Sequence, residues 1–228
     1  MLSITIVSFP GLGIGETEID NMAFDLFELL NIEGSFPVYW YGIVITLGIV
    51  LAFVYASFRA KYERIKFDDL IDVELWTVII GVIGARLYYV LTTLENYIPK
   101  PFNLGQFIKN VFNLRQGGLA IYGGIIGALT GGIIVAKIQK MKVLPVLDIT
   151  MMGFLLGQGI GRWGNFMNQE AYGSVTDLPW AMMSEGTGNM LVHPCFLYES
   201  LWCLTGFVLL HFYGKYKPLT ENPFPDRK

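Results

Sequence analysis

Five stretches of this 228-residue sequence are apolar over close to the length a bilayer crossing needs, and this limits the fold more than any single residue does. A hydrocarbon core of about 30 Å takes roughly 20 residues of α-helix, because lipid offers the backbone N–H and C=O groups no other partner. The stretches run from Val38 to Phe58, Leu75 to Leu94, Gly117 to Ala136, Val146 to Phe166 and Phe196 to Tyr213. With 53% of residues hydrophobic and 15% charged, the composition is that of a chain solvated by lipid. The expected fold is all-α: a polytopic transmembrane helical bundle of about five spans forming a single membrane domain over 1–228. Residues 1–37 are expected at the outer face, 38–213 in the bundle and its outer loops, and 214–228 in a cytoplasmic tail.

The basic residues set the orientation. Arg59, Lys61, Arg64 and Lys66 share one connection, Lys137, Lys140 and Lys142 another, and Lys215, Lys217, Arg227 and Lys228 the tail. The other connections carry only Lys100, Lys109 and Arg115, and residues 1–36 and 167–195 have no Lys or Arg. By the positive-inside rule the N-terminus is expected outside and the C-terminus inside, as five crossings require. The first fourteen residues lack a basic start and a small-residue cleavage pattern, so they read as an outer-face interfacial segment and not as a removable signal peptide.

Composition also narrows the chemistry. Two cysteines, Cys195 and Cys203, and two histidines are too few for a disulfide framework or a structural zinc site, so no metal is expected. No basic patch interleaved with aromatics points to nucleic acid. Gly123, Gly127 and Gly131, and again Gly153, Gly157 and Gly161, recur at every fourth position, the pattern that lets helix backbones approach in lipid.

Two arginines fall inside the apolar stretches. An ionised side chain at mid-bilayer costs roughly 2.5 to 3.5 kcal/mol on insertion scales, so Arg86 and Arg162 need partners. Either arginine can be read as a bond to a neighbouring helix or as a snorkelling side chain. Among acidic groups, Asp148, Glu170 and Glu199 stand closest to the spans. Asp148 is about 20 Å from Arg162 along one helix, too far to pair with it there.

Arg162 has the more telling surroundings, in GRWGNFMNQEAYG over residues 161–173. Arg162, Asn165, Asn168 and Gln169 supply donors suited to phosphate and ester oxygens, and Gly161 and Gly164 leave room for a head group. The segment reads as a site for an anionic lipid head. His193 and Cys195, in HPCFLYE, allow a thiol-nucleophile reading, but with no third orienting group the simpler reading is a helix start with a satisfied histidine. Tyr41 suits an interfacial aromatic belt, and Tyr122, deeper among glycines, is the better site candidate.

GRWGNFMNQEAYG closely resembles the signature G-R-x-G-N-F-x-N-x-E-x-x-G of prolipoprotein diacylglyceryl transferases. WYG from Trp40, GARLYYV from Gly84, RQGGLAIYGG from Arg115 and HPCFLYE from His193 resemble further family segments in the family's order, over about residues 36–213. The resemblance implies transfer of the sn-1,2-diacylglyceryl group of phosphatidylglycerol to the lipobox cysteine of a prolipoprotein signal peptide, without metal or organic cofactor, in the bacterial inner membrane. It implies phosphatidylglycerol binding by Arg162, Asn165, Asn168 and Gly173 at signature positions, and catalytic roles for Glu170, at another signature position, for Tyr41, which matches a family tyrosine, and for Tyr122. Tyr122 stands where some members have a histidine proposed as the base; a neutral tyrosine is a poor base at pH 7 but can position a thiol or a lipid oxygen.

The resemblance has one gap. Family members ordinarily continue with two more spans, the first carrying a second arginine thought to stabilise the leaving phosphate, whereas this sequence ends on TENPFPDRK at Lys228. Arg86 is one candidate for a partial substitute and is placed with the lipid-binding residues. The rival expectation is a catalytically impaired, truncated paralogue that binds anionic lipid; a small anion transporter is disfavoured because the fourth stretch's motif has no second copy.

Overall fold

The computed structural model describes residues 4–63, 65–101, 103–113 and 117–216. Arg64, Arg115, Lys217, Arg227 and Lys228 of the charge pattern lie outside the described residues, as does the tail beyond 216. Five long helices correspond to the five apolar stretches: α2 (Trp40–Tyr62), α3 (Phe67–Thr92), α5 (Ile121–Ile138), α6 (Val143–Met167) and α7 (Cys195–Tyr216). Two short helices, α1 (Leu26–Leu29) and α4 (Leu104–Phe112), lie in the connections. By length and composition α2, α5, α6 and α7 are each able to cross a membrane, so the architecture is that of a polytopic helical membrane protein.

The all-helical expectation does not extend to the N-terminal segment. β1 (Ile4–Phe9) and β2 (Ile14–Asp20) form an antiparallel hairpin, and β5 (Met183–Ser184) pairs with the free edge of β1. β3 (Met22–Asp25) pairs with β4 (Pro37–Tyr39) in a second small sheet. Ile4 to Val7 is a run of β-branched residues, which favour the pleated backbone, and Gly13 with φ of 71° closes the turn. Asp25 caps α1, accepting hydrogen bonds from the backbone N–H of Phe27 (2.9 Å) and Glu28 (3.3 Å).

Helix limits differ from the apolar stretches for local reasons. α3 begins at Phe67, ahead of Leu75, because Asp68 and Asp69 in its first turn complement the positive end of the helix dipole. α5 begins at Ile121 and not at Gly117, because Gly117 and Gly118 hold φ of 76° and 84°, outside the helical region.

Backbone contacts group the chain into two compact units: Met1–Tyr55 with Met151–Lys228, and Ala56–Thr150. In the first, Val7, Met182, Val192 and Phe196 form a core beneath the hairpin. There α2 and α6 approach closely: a Cβ on Gly48 would lie 2.9 Å from the Gly157 carbonyl oxygen. In the second unit, Leu70, Val73, Ala136, Val146 and Ile149 are fully buried together. Gly123, Gly127 and Gly131 of α5 lie against α3, and a Cβ on Gly84 would meet the Gly123 oxygen at 2.5 Å and Gly127 Cα at 3.0 Å. These glycines serve backbone-to-backbone packing, as their spacing predicts.

Candidate active site

The first unit gathers most of the residues singled out from the sequence. Arg162 lies near the end of α6, and its guanidinium is ion-paired with Glu199 in the second turn of α7. Its other terminal nitrogen donates to Asn165 Oδ1 at 3.4 Å. Asn165 Nδ2 donates to Glu170 Oε1 (3.0 Å), and Asn168 Nδ2 reaches the same oxygen (3.4 Å). A cation, two carboxamides and two carboxylates thus form one connected cluster, and each amide keeps a second N–H for another acceptor.

The backbone that presents Glu170 is strained. Gln169 and Ala171, on either side of it, both hold φ of 55°, a left-handed conformation costing an L-residue about 1–2 kcal/mol. The turn is held by Glu170 N–H donating to the Asn165 carbonyl (3.0 Å) and by Tyr172 Oη donating to the Gly186 carbonyl (2.8 Å). Strain of this kind persists where the surroundings over-determine it, commonly at functional sites.

Two sequence-based readings within the motif are corrected. Gln169 is buried and its amide donates to the Phe166 carbonyl (2.5 Å), so it faces the protein and offers nothing to a head group. The room beside Gly164 is filled by the Tyr41 ring, 3.0 Å from where a Cβ would stand. Gly161 does open on space, with no described atom within 4 Å of that position. Tyr41 is thereby placed against the motif helix. Gly173 packs on Cys195 Sγ and His193 Cβ, each 2.8 Å from its absent Cβ, and donates its N–H to the His193 carbonyl (2.9 Å).

Glu199 was the residue the sequence undervalued. Its sign was an acidic group inside an apolar helix, which needs a cation; the pairing with Arg162 spans too much chain to be read from periodicity. A second network supports the same corner: Trp163 Nε1 donates to Ser200 Oγ (3.2 Å), which donates to the Gly159 carbonyl (2.7 Å). His193 Nδ1 is 3.2 Å from Tyr198 Oη, which accepts from Trp180 Nε1 (2.6 Å), in keeping with a satisfied histidine at a helix start.

Arg86 and Tyr122 belong to the second unit. Arg86 is buried, and its five N–H groups point at backbone oxygens: Nε at Val111 (2.7 Å), one terminal nitrogen at Gly117 and Gly118 (2.7 and 3.0 Å), the other at Asn110 and Asn113 (3.0 and 2.9 Å). The Tyr97 ring lies over it at 5.1 Å. All five donors of a guanidinium are therefore engaged, and none is left for a lipid phosphate. Tyr122, in the first turn of α5, is exposed, with its ring 6.4 Å from that of Tyr88.

Comparison with known proteins identifies the family. Residues 28–224 match the family model described as prolipoprotein diacylglyceryl transferase. A phosphatidylglycerol–prolipoprotein diacylglyceryl transferase of Finegoldia magna is 43% identical over 197 residues, 86% of this chain and 73% of that protein. A protein so named from Clostridium perfringens, with the suffix 1, is 44% identical over 184 residues, covering 78% of this chain and 67% of its own. One from Clostridioides difficile is 39% identical over 199 residues, covering 87% and 73%. The match takes in both the α6 motif and the start of α7, and the chain belongs to the prolipoprotein diacylglyceryl transferase family.

Proposed function

We propose that this protein transfers the diacylglyceryl group of phosphatidylglycerol to the cysteine thiol of a prolipoprotein, the reaction named in its relatives. The observation that carries the reading is the connected cluster of Arg162, Asn165, Asn168, Glu170 and Glu199 at the end of α6, in a chain of that family. The truncated-paralogue alternative draws no support from these names.

In the reaction the thiol sulfur bonds to the glyceryl carbon, the bond from that carbon to the phosphate oxygen breaks, and glycerol phosphate leaves with the electron pair. The thiol proton goes to a base or to the leaving group. An ordinary cysteine thiol has a pKa of about 8.5, so removing its proton is part of the task. Arg162 anchors the phosphate by charge-assisted hydrogen bonds, with Glu199 fixing the far side of the guanidinium. Asn165 and Asn168, oriented by Glu170, offer their second N–H groups to ester or phosphate oxygens. Gly173 keeps the following loop close to His193 and Cys195. Tyr41, packed against the motif helix, positions the thiol or a lipid oxygen; Tyr122 is the second residue proposed for that role, on the sequence alone.

The surrounding topology is proposed as five spans, α3 included, with the N-terminus outside and the C-terminus inside the bacterial inner membrane, and the lipobox cysteine delivered at the outer leaflet. The absence of Lys and Arg from residues 1–36 and 167–195 supports this orientation. Labelling single cysteines at Ser35 and Lys140 with a membrane-impermeant reagent tests it: modification of position 35 alone in intact cells is expected, and modification of 140 alone reverses the topology. For the site, Asn165→Ala is expected to lower transfer by about a hundredfold, the scale of losing a donor that acts on developing charge. Unchanged transfer would remove Asn165 from the machinery.

A further inference from the structure

A buried arginine without a carboxylate partner is costly, and among the described residues Arg86 has none; five carbonyl oxygens surround it instead. Those oxygens come from two places. Asn110 and Val111 lie in the last turn of α4 and Asn113 just after it, at the negative end of the helix dipole, where the Asn110 carbonyl also accepts from the Asn113 N–H (3.4 Å). Gly117 and Gly118 lie in the segment leading into α5. Next to them the Ala120 N–H donates to the Ala85 carbonyl (3.0 Å), and α5 starts at the following residue.

Gly118 shows how closely the segment is held. With φ of 84°, it would place a Cβ 2.6 Å from an Arg86 terminal nitrogen and 2.7 Å from the Tyr89 ring. The backbone is thus clamped onto α3 immediately ahead of Tyr122, in the first turn of α5.

We propose that Arg86 is a positioning residue, in place of a lipid ligand: its guanidinium clamps the end of α4 and the segment at Gly117 and Gly118 to α3, and so fixes the start of α5 where Tyr122 stands. Lysine cannot replace it, because an ammonium has three donors and no planar fork. The link to catalysis through Tyr122 rests on the transferase reading; the clamp itself does not.

The test uses the full chain with Arg86→Lys and Gly118→Ala, the second keeping the guanidinium but crowding it. Hydrogen exchange over 104–113 and 117–122 is measured together with transfer kinetics across phosphatidylglycerol concentrations. The expected result for both variants is exchange faster by about tenfold or more in these segments, as local opening predicts. In the kinetic arm, kcat falls by about tenfold with KM for the lipid within about twofold. A rise in KM at constant kcat with unchanged exchange makes Arg86 a lipid ligand and overturns the proposal, as does unchanged behaviour in both arms. If the parent protein shows no transfer, the transferase reading fails, while the exchange arm still decides the clamp.

Discussion

Arg162 and Glu199 join the end of α6 to the second turn of α7 through an ion pair, so the cation expected to hold a lipid phosphate is itself held by a carboxylate. The Glu199 side chain is 44% exposed and that of Arg162 24%, so water screens the pair in part. A hydrogen bond to a charged group is worth about 1.5–3 kcal/mol, and exposure lowers that figure. Glu199→Gln is therefore expected to destabilise the protein by about 1–2 kcal/mol, read as a lower unfolding temperature in detergent. An unchanged midpoint would show that the pair contributes nothing to holding α6 against α7.

Tyr41 separates packing from chemistry. Its ring fills the space beside Gly164, which phenylalanine does equally well. Tyr41→Phe is expected to keep the melting temperature and lower transfer by about tenfold or more, as loss of an oriented hydroxyl does. If the variant transfers at the parent rate, Tyr41 is a packing residue only.

The α3–α5 approach makes a sharp stability comparison. A Cβ on Gly84 would press on the Gly123 oxygen and Gly127 Cα, both backbone atoms, whereas one on Gly153 meets Ala52 at an ordinary 3.5 Å. Gly84→Ala is expected to cost about 1–3 kcal/mol by overpacking, and Gly153→Ala to stay within about 0.5 kcal/mol. Equal melting temperatures for the two variants would contradict the close approach.

Asp25 ties the N-terminal segment to pH. The hydrogen bond from Ser35 Oγ (2.5 Å), then that from the Phe36 N–H (3.0 Å), brings its carboxyl down from 3.8 to about 2. A carboxyl with a depressed folded pKa adds stability above its unfolded value and loses it as pH falls through the folded one. Local protection of residues 25–37, corrected for intrinsic exchange, is expected to hold at pH 5 and decline between about 4 and 2. Asp25→Asn should lower protection already at pH 7 and flatten this dependence; an unaltered profile in the variant would deny Asp25 this role.

The long helices were legible because lipid imposes one signal, about 20 apolar residues without interruption, whatever the tertiary contacts. The α6 motif was legible because its members lie within one helix end and the turn after it. What escaped depends on backbone conformation and packing that the apolar pattern does not encode. The strand pairing of Ile4–Phe9 with Ile14–Asp20 hides in a segment whose apolar residues also suit an interface. Glu199 meets Arg162 only through the packing of α7, and Gln169 turns inward only because its backbone enters the left-handed region. Arg86 showed as a charge in need of partners, but nothing in its spacing says that backbone carbonyls supply them.

The central claim is diacylglyceryl transfer anchored at Arg162. The most direct test reconstitutes the protein with phosphatidylglycerol, adds a lipobox peptide, and follows the peptide mass beside an Arg162→Ala control. The account predicts a peptide heavier by one diacylglyceryl group, with release of glycerol phosphate, and loss of that product in the variant. A peptide of unchanged mass with the parent protein, or equal product with the variant, contradicts it.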